Sequence, residues 1–230
     1  MSRAAGAPSL LKWAAELLEI PGLLASPLLP PVPLEPGAGR PVMVLPGYLT
    51  GDISSIRLRR SLRAAGYTAQ GWGLGQNRGA KHDLLERIGA RIETLAAKTG
   101  QSVALVGWSL GGVFAREAAK RHPHAVSLVV TLGSPFSGDP RANNAWRLYE
   151  WLNDHRVDNP PFAVELAVKP PVPTVAVWSP IDGIVAPAAA RGLPGESDRQ
   201  VELHCRHLAL ARTRSGIELV GRLLADPGLT

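Results

Sequence analysis

Ser109 is the residue best placed to act as a nucleophile, because of what stands two positions to either side of it. Gly107-Trp108-Ser109-Leu110-Gly111 fits the pattern G-x-S-x-G. A serine hydroxyl attacks poorly unless it stands clear of its own backbone, meets a general base and faces amide donors for the oxyanion it creates. A strained turn between a strand and a helix meets those needs, and it requires near-absent side chains two places before and after the serine. In a chain with 24 glycines among 230 residues the pentapeptide alone carries little weight, so its context decides. Val103, Ala104, Leu105 and Val106 form a short β-favouring apolar run before it. A further glycine follows at Gly112, and small, helix-forming residues continue to His122 and Pro123.

An activated serine needs a histidine held by a carboxylate, and on a turn of this kind the chain order is serine, acid, histidine. Among the histidines after Ser109, only His204 and His207 follow an acidic residue at the end of a later strand. His204 falls within the strand expected over residues 200–204, which gives it a structural role. His207 lies just past that strand's end and is the expected base. Asp182 is the expected acid: it follows the apolar run Thr174 to Trp178, and Gly183 permits a sharp turn beside it, with Asp158 of the insertion as the alternative. The oxyanion donors should be the backbone amides of Leu110 and Tyr48, with Leu49 in place of Tyr48 if the turn is shifted by one residue. Leu49, Trp108, Phe136 and Trp146, apolar and close to these turns or on the insertion below, are the candidate substrate contacts.

These side chains need a scaffold that brings distant segments to one edge. The apolar patterning predicts strands over residues 41–45, 67–72, 103–106, 127–132, 174–178 and 200–204, with helices over 54–65, 83–98, from 110 onward, and over 215–224. Strands alternating with helices imply a mainly parallel sheet covered on both faces, and ligands in such sheets bind at the carboxyl ends of the strands. The fold class is therefore α/β. The alternation breaks over residues 134–172, an insertion with a helix expected at 143–153 that reads as a small lid.

Residues 1–40 form a separate arm ahead of a domain spanning 41–230. An amphipathic helix is expected over residues 9–20, with Leu10, Trp13, Ala14, Leu17 and Leu18 on one side and Ser9 as its N-cap. That apolar side could pack on the protein's own body, on a second subunit or on a lipid surface. The proline-rich stretch 21–41 should be free of regular structure.

A hydrophobic content of 45% with 19% charged residues excludes a disordered chain. The net charge of +6 comes from arginines spread along the chain. Arg57, Arg59, Arg60 and Arg63, the densest group, have no interleaved aromatics, so a solvated face is expected and not a nucleic-acid partner. The single cysteine, Cys205, allows no intrachain disulfide. Lys12, Glu16 and Glu19 break up any signal-peptide core. Together these lead to the expectation of a soluble, cytoplasmic protein.

The segments VLPGYLTGD, VGWSLGG, TLGSPFSGD, WSPIDGIV and CRHLAL resemble the corresponding motifs of the α/β-hydrolase superfamily, and within it the compact bacterial lipases and esterases. Pro46 stands where many relatives carry histidine before the oxyanion glycine, and Phe136 where lipases often carry histidine. The resemblance implies a carboxylic ester hydrolase with no metal or organic cofactor, acting on a small-molecule or lipid ester through an acyl-enzyme. Acyl transfer or thioester hydrolysis on the same triad, and a catalytically silent binding protein of the same fold, are the competing expectations.

Overall fold

The computed structural model describes residues 6–162 and 164–229. Six strands, β1 (Pro41–Leu45), β2 (Thr68–Gly71), β3 (Val103–Trp108), β4 (Val126–Leu132), β5 (Thr174–Trp178) and β6 (Arg199–Glu202), form one sheet. Their order is β2-β1-β3-β4-β5-β6, and every pairing is parallel. The chain leaves β1 towards one edge and returns to β3 on the other side of β1. That makes the carboxyl ends of β1 and β3 the switch point at which such sheets bind ligands.

Eight α-helices are described: α1 (Leu10–Glu16), α2 (Ile20–Ala25), α3 (Ile56–Ala64), α4 (Leu84–Thr99), α5 (Leu110–Arg121), α6 (Trp146–Leu152), α7 (Pro187–Arg191) and α8 (Arg214–Ala225). Successive side chains of a strand point to opposite faces, and β1 shows the consequence. Val42 and Val44 pack under Leu58 and Leu62 of α3 and Ile217 and Val220 of α8. Met43 and Leu45 pack under Ile88 and Ile92 of α4 and Phe114 of α5. With both faces covered, the central strands are apolar throughout, and every residue of β1 and β3 is buried.

Four details differ from the sequence expectations. Residues 21–41 are not free of regular structure: α2 takes in Pro21, because a proline in the first helical turn has no amide that needs a partner there. The last strand ends at Glu202, which leaves His204 beyond it with an exposed side chain. Helix α7, one turn after Ala186, has too short a pattern to read from the sequence. The insertion's helix is also shorter than expected, with α6 occupying only the middle of residues 143–153.

The N-terminal helix packs on the body, but through its polar side. Leu10 (77%), Leu11 (84%) and Leu18 (70%) are exposed, whereas Glu16 is buried at 2%. Lys12 Nζ donates to Pro180 O at 2.8 Å, and Glu19 pairs with Arg206 and Arg212. Charged groups with well-placed partners settle this helix, and the apolar stripe faces outward. Further on, Val32 enters the core cluster under α3 and α8, and its amide donates to Ser61 Oγ at 2.8 Å. Among the described residues, no helix is long and apolar enough to cross a membrane.

Candidate active site

Ser109 lies between β3 and α5 with φ 54° and ψ −125°, a backbone conformation that residues with a Cβ rarely adopt. Its neighbours explain how this is held. A Cβ on Gly107 would collide with the backbone of Gly111 and Gly112, one on Gly111 with the carbonyl of Leu45, and one on Gly112 with Ser134 Oγ. The three glycines let β3, β1 and α5 approach closely enough to force the turn. Ser109 N donates to Leu132 O at 2.8 Å, which fixes the turn to the end of β4.

Asp182 and His207 meet next to this turn. Asp182, fully buried in the loop after β5, accepts at Oδ1 from the amides of Ile184 and Val185, both at 2.8 Å. Its Oδ2 stands 2.7 Å from His207 Nδ1. A proton on Nδ1 in this contact leaves the Nε2 lone pair free to act as a base. Trp108 Nε1 donates to His207 O at 3.2 Å, and the two rings lie 5.8 Å apart, which seats the histidine over the end of β3. Gly133 (φ 60°) clears the remaining space: a Cβ there would sit 3.0 Å from His207 Nδ1 and 3.1 Å from Asp182 Oδ2. Ser109 Oγ is hydrogen-bonded to no described residue.

Burial pulls the His207 imidazole towards the neutral form. The Asp182 carboxylate, by charge and hydrogen bond, and the charge of Glu16 outweigh burial and hold its pKa above the usual value of 6.5. Cys205, in the same loop, is pushed up to about 12 by burial and by the negative charges of Asp182, Glu16 and Glu19, so its thiol stays protonated.

The expected oxyanion donors differ in their availability. Leu49 N is already engaged with Asn77 O at 2.7 Å, whereas the amides of Tyr48 and Leu110 have no partner among the described residues. Leu49 itself adopts φ 58°. The turn that carries them is held by Asn77, fully buried, whose Nδ2 donates to Pro46 O at 2.8 Å and whose backbone amide donates to Thr50 O at 2.7 Å. Gln76 Nε2 adds a bond to Leu49 O at 2.8 Å. From the sequence, Asn77 is one more polar residue in a glycine-rich loop; its role arises from contact across 31 positions.

A cavity opens beside Ser109, lined by Phe114 of α5 and by Trp146, Tyr149, Phe162 and Leu166 of the insertion. Of the four expected substrate contacts, Trp146 lines this cavity and the other three do not. Leu49 is on the outer side of its turn, Trp108 is buried against His207, and Phe136 is buried with the Arg116 guanidinium 4.1 Å from its ring centre. The insertion is tied down where Tyr149 Oη accepts from Ala80 N at 3.0 Å and lies 2.8 Å from His155 Nε2. Among the described residues, no group of three or more histidine, cysteine, aspartate or glutamate side chains is arranged to hold a metal ion.

The parallel sheet, the glycine-framed serine turn and the acid–histidine pair past later strands make this an α/β-hydrolase-fold protein. A family model described as the alpha/beta hydrolase fold matches residues 61–168. Bacillus licheniformis lipase BlEst2 in its mature form is similar at 17% identity and a TM-score of 0.59, over 84% of this chain and 95% of that one. A monoacylglycerol lipase of Paleococcus ferrophilus is similar at 16% identity and a TM-score of 0.57, over 84% and 96%. A metagenome-derived lipolytic enzyme gives 16% and 0.59, over 85% and 96%. No curated protein matches the chain by sequence.

Proposed function

We propose that the chain is a serine hydrolase of carboxylic esters, with Ser109 as nucleophile, His207 as base and Asp182 as the acid that orients it. The observation that carries this reading is the coincidence, at one sheet edge, of a strained serine, a buried Asp182–His207 contact and two amides without a partner among the described residues. His207 Nε2 takes the Ser109 proton as Oγ bonds to the ester carbonyl carbon. The amides of Tyr48 and Leu110 stabilise the resulting oxyanion, each worth roughly 3 kcal/mol in such sites. Collapse expels the alcohol, which receives its proton from His207. Water, deprotonated by the same imidazole, then cleaves the acyl-enzyme and releases the carboxylic acid.

The apolar lining of the cavity supports an uncharged, largely hydrocarbon acyl group, and the lipolytic neighbours are consistent with a lipid or small-molecule ester. Incubation with a fluorophosphonate should add one phosphonyl group to Ser109, read by intact mass and peptide mapping. Ser109→Ala should lose that label together with p-nitrophenyl ester turnover, with its melting temperature maintained. Undiminished turnover in Ser109→Ala would sink the assignment.

A further inference from the structure

Glu16 is a buried carboxylate that the proposed reaction does not use. It lies on α1, and its side chain reaches the loops that carry Asp182 and His207. Glu16 Oε1 accepts from Gly183 N at 2.9 Å and from His207 N at 2.8 Å, and Oε2 accepts from Leu208 N at 3.0 Å. These three amides belong to the residue after the acid, to the histidine itself and to the residue after it. The approach is close enough that a Cβ on Gly183 would collide with the carbonyl oxygen of Lys12. Gly183 is therefore required by the docking of α1.

Removing a carboxylate from water is costly, and three charge-assisted amide bonds offset that cost. Among the described residues no cation closes on it: Lys12 turns to Pro180 O, and Arg206 and Arg212 pair with Glu19. We propose that Glu16 is a positioning residue of the active site, a clamp from the N-terminal helix that joins the Asp182 loop to the His207 turn. The proposal rests on the serine-hydrolase reading of that site. The clamp fixes where the imidazole sits relative to both Asp182 and Ser109.

Glu16 also acts through charge. The groups facing His207 are Asp182 from the loop after β5, Glu16 from α1 and Cys205 from the histidine's own loop, with the Glu19, Arg206 and Arg212 ion-paired group beyond. Asp182 and Glu16 both favour the imidazolium. Neutralising Glu16 removes one of them.

The test uses the full chain with Glu16→Gln and Glu16→Asp, read in two independent ways. In Glu16→Gln the NMR titration midpoint of the His207 ring, and the acid limb of kcat/KM for p-nitrophenyl butyrate, should both move to lower pH. Plateau kcat should fall roughly tenfold or more from misplacement of the imidazole, with KM within about twofold. Glu16→Asp, which keeps the charge on a shorter arm, should return the midpoint towards the wild-type value while kcat stays reduced. A wild-type midpoint and limb in Glu16→Gln, whatever the loss of rate, would overturn the proposal. The NMR midpoint needs no turnover, so a wild type without Ser109-dependent hydrolysis would refute the functional reading separately. Should Glu16→Gln fail to fold, Glu16→Asp carries the test: unaltered kcat in that variant overturns the clamp.

Discussion

At the scale of single residues, two carboxylates act against burial on the imidazole that the proposed reaction uses as its base. In the proposed reaction the neutral form of His207 is the base, and burial favours that form, yet Asp182 and Glu16 together leave the pKa raised above 6.5. The sign follows: protons must be removed at a higher pH than from an ordinary histidine, so kcat/KM should rise with pH along a limb whose midpoint lies above 6.5. A rate profile already flat at that pH would contradict the assigned base. The meeting of Asp182 and His207 beside the Ser109 turn is legible in the sequence because Ser109 and Asp182 follow apolar runs, His207 follows the last expected strand, and their order is that of an elbow hydrolase. Asn77 and Glu16 are not, since an asparagine in a glycine-rich loop and a glutamate interrupting an apolar stripe have ordinary explanations until distant segments are brought together. The substrate contacts divide the same way: Trp146 lies on the insertion that surrounds the cavity, while Trp108 and Phe136, adjacent to motif residues, point into the protein interior.

At the scale of elements, the strand–turn–helix unit is where local sequence and global fold agree most closely. The apolar run, the glycines and the helix-forming residues each specify their part, so β3 and α5 fall where the pattern puts them. Boundaries set by tertiary contact are less legible: β6 stops at Glu202, and α7 is a single short helix introduced by Pro187. The glycines of the elbow carry a strict packing requirement. A methyl group on Gly111 would meet the Leu45 carbonyl, a backbone atom of the neighbouring strand that cannot rotate away. Gly111→Ala should therefore cost at least about 2 kcal/mol of stability, as overpacking does in rigid surroundings. It should also displace the Leu110 amide, so urea unfolding and esterase rate should fall together. Wild-type stability in this variant would show that β1 and α5 are not held as closely as the structure has them.

At the scale of the whole molecule, the N-terminal segment is built into the body at two places that differ in kind. The first is polar, through Lys12, Glu16 and Glu19 at the rim of the sheet. The second is apolar. Val32, 2% exposed, sits in the core cluster beneath α3 and α8, with Leu34 packed against it. The proline-rich composition between them makes the segment look like a linker, because prolines deny it regular hydrogen bonding without revealing which side chains are covered. The two attachments make different demands on a truncated chain. Removing residues 1–7 keeps Pro8 O as acceptor for Asn144 Nδ2 and keeps Ser9 as the cap of α1, so the Glu16 attachment and the packing of Val32 and Leu34 should both survive it. Removing residues 1–36 opens the space filled by Val32 and Leu34 and leaves Ser61 Oγ without the Val32 amide. Emptying one such buried aliphatic site typically costs about 2–5 kcal/mol, a large part of the 5–15 kcal/mol that holds a domain together. The longer truncation should thus melt well below the full chain and lose turnover even where it remains folded, because Glu16 goes with it. Equal melting temperatures for the two truncations would mean that residues 8–36 are a passive tail, and that the α/β body beyond them closes its own core.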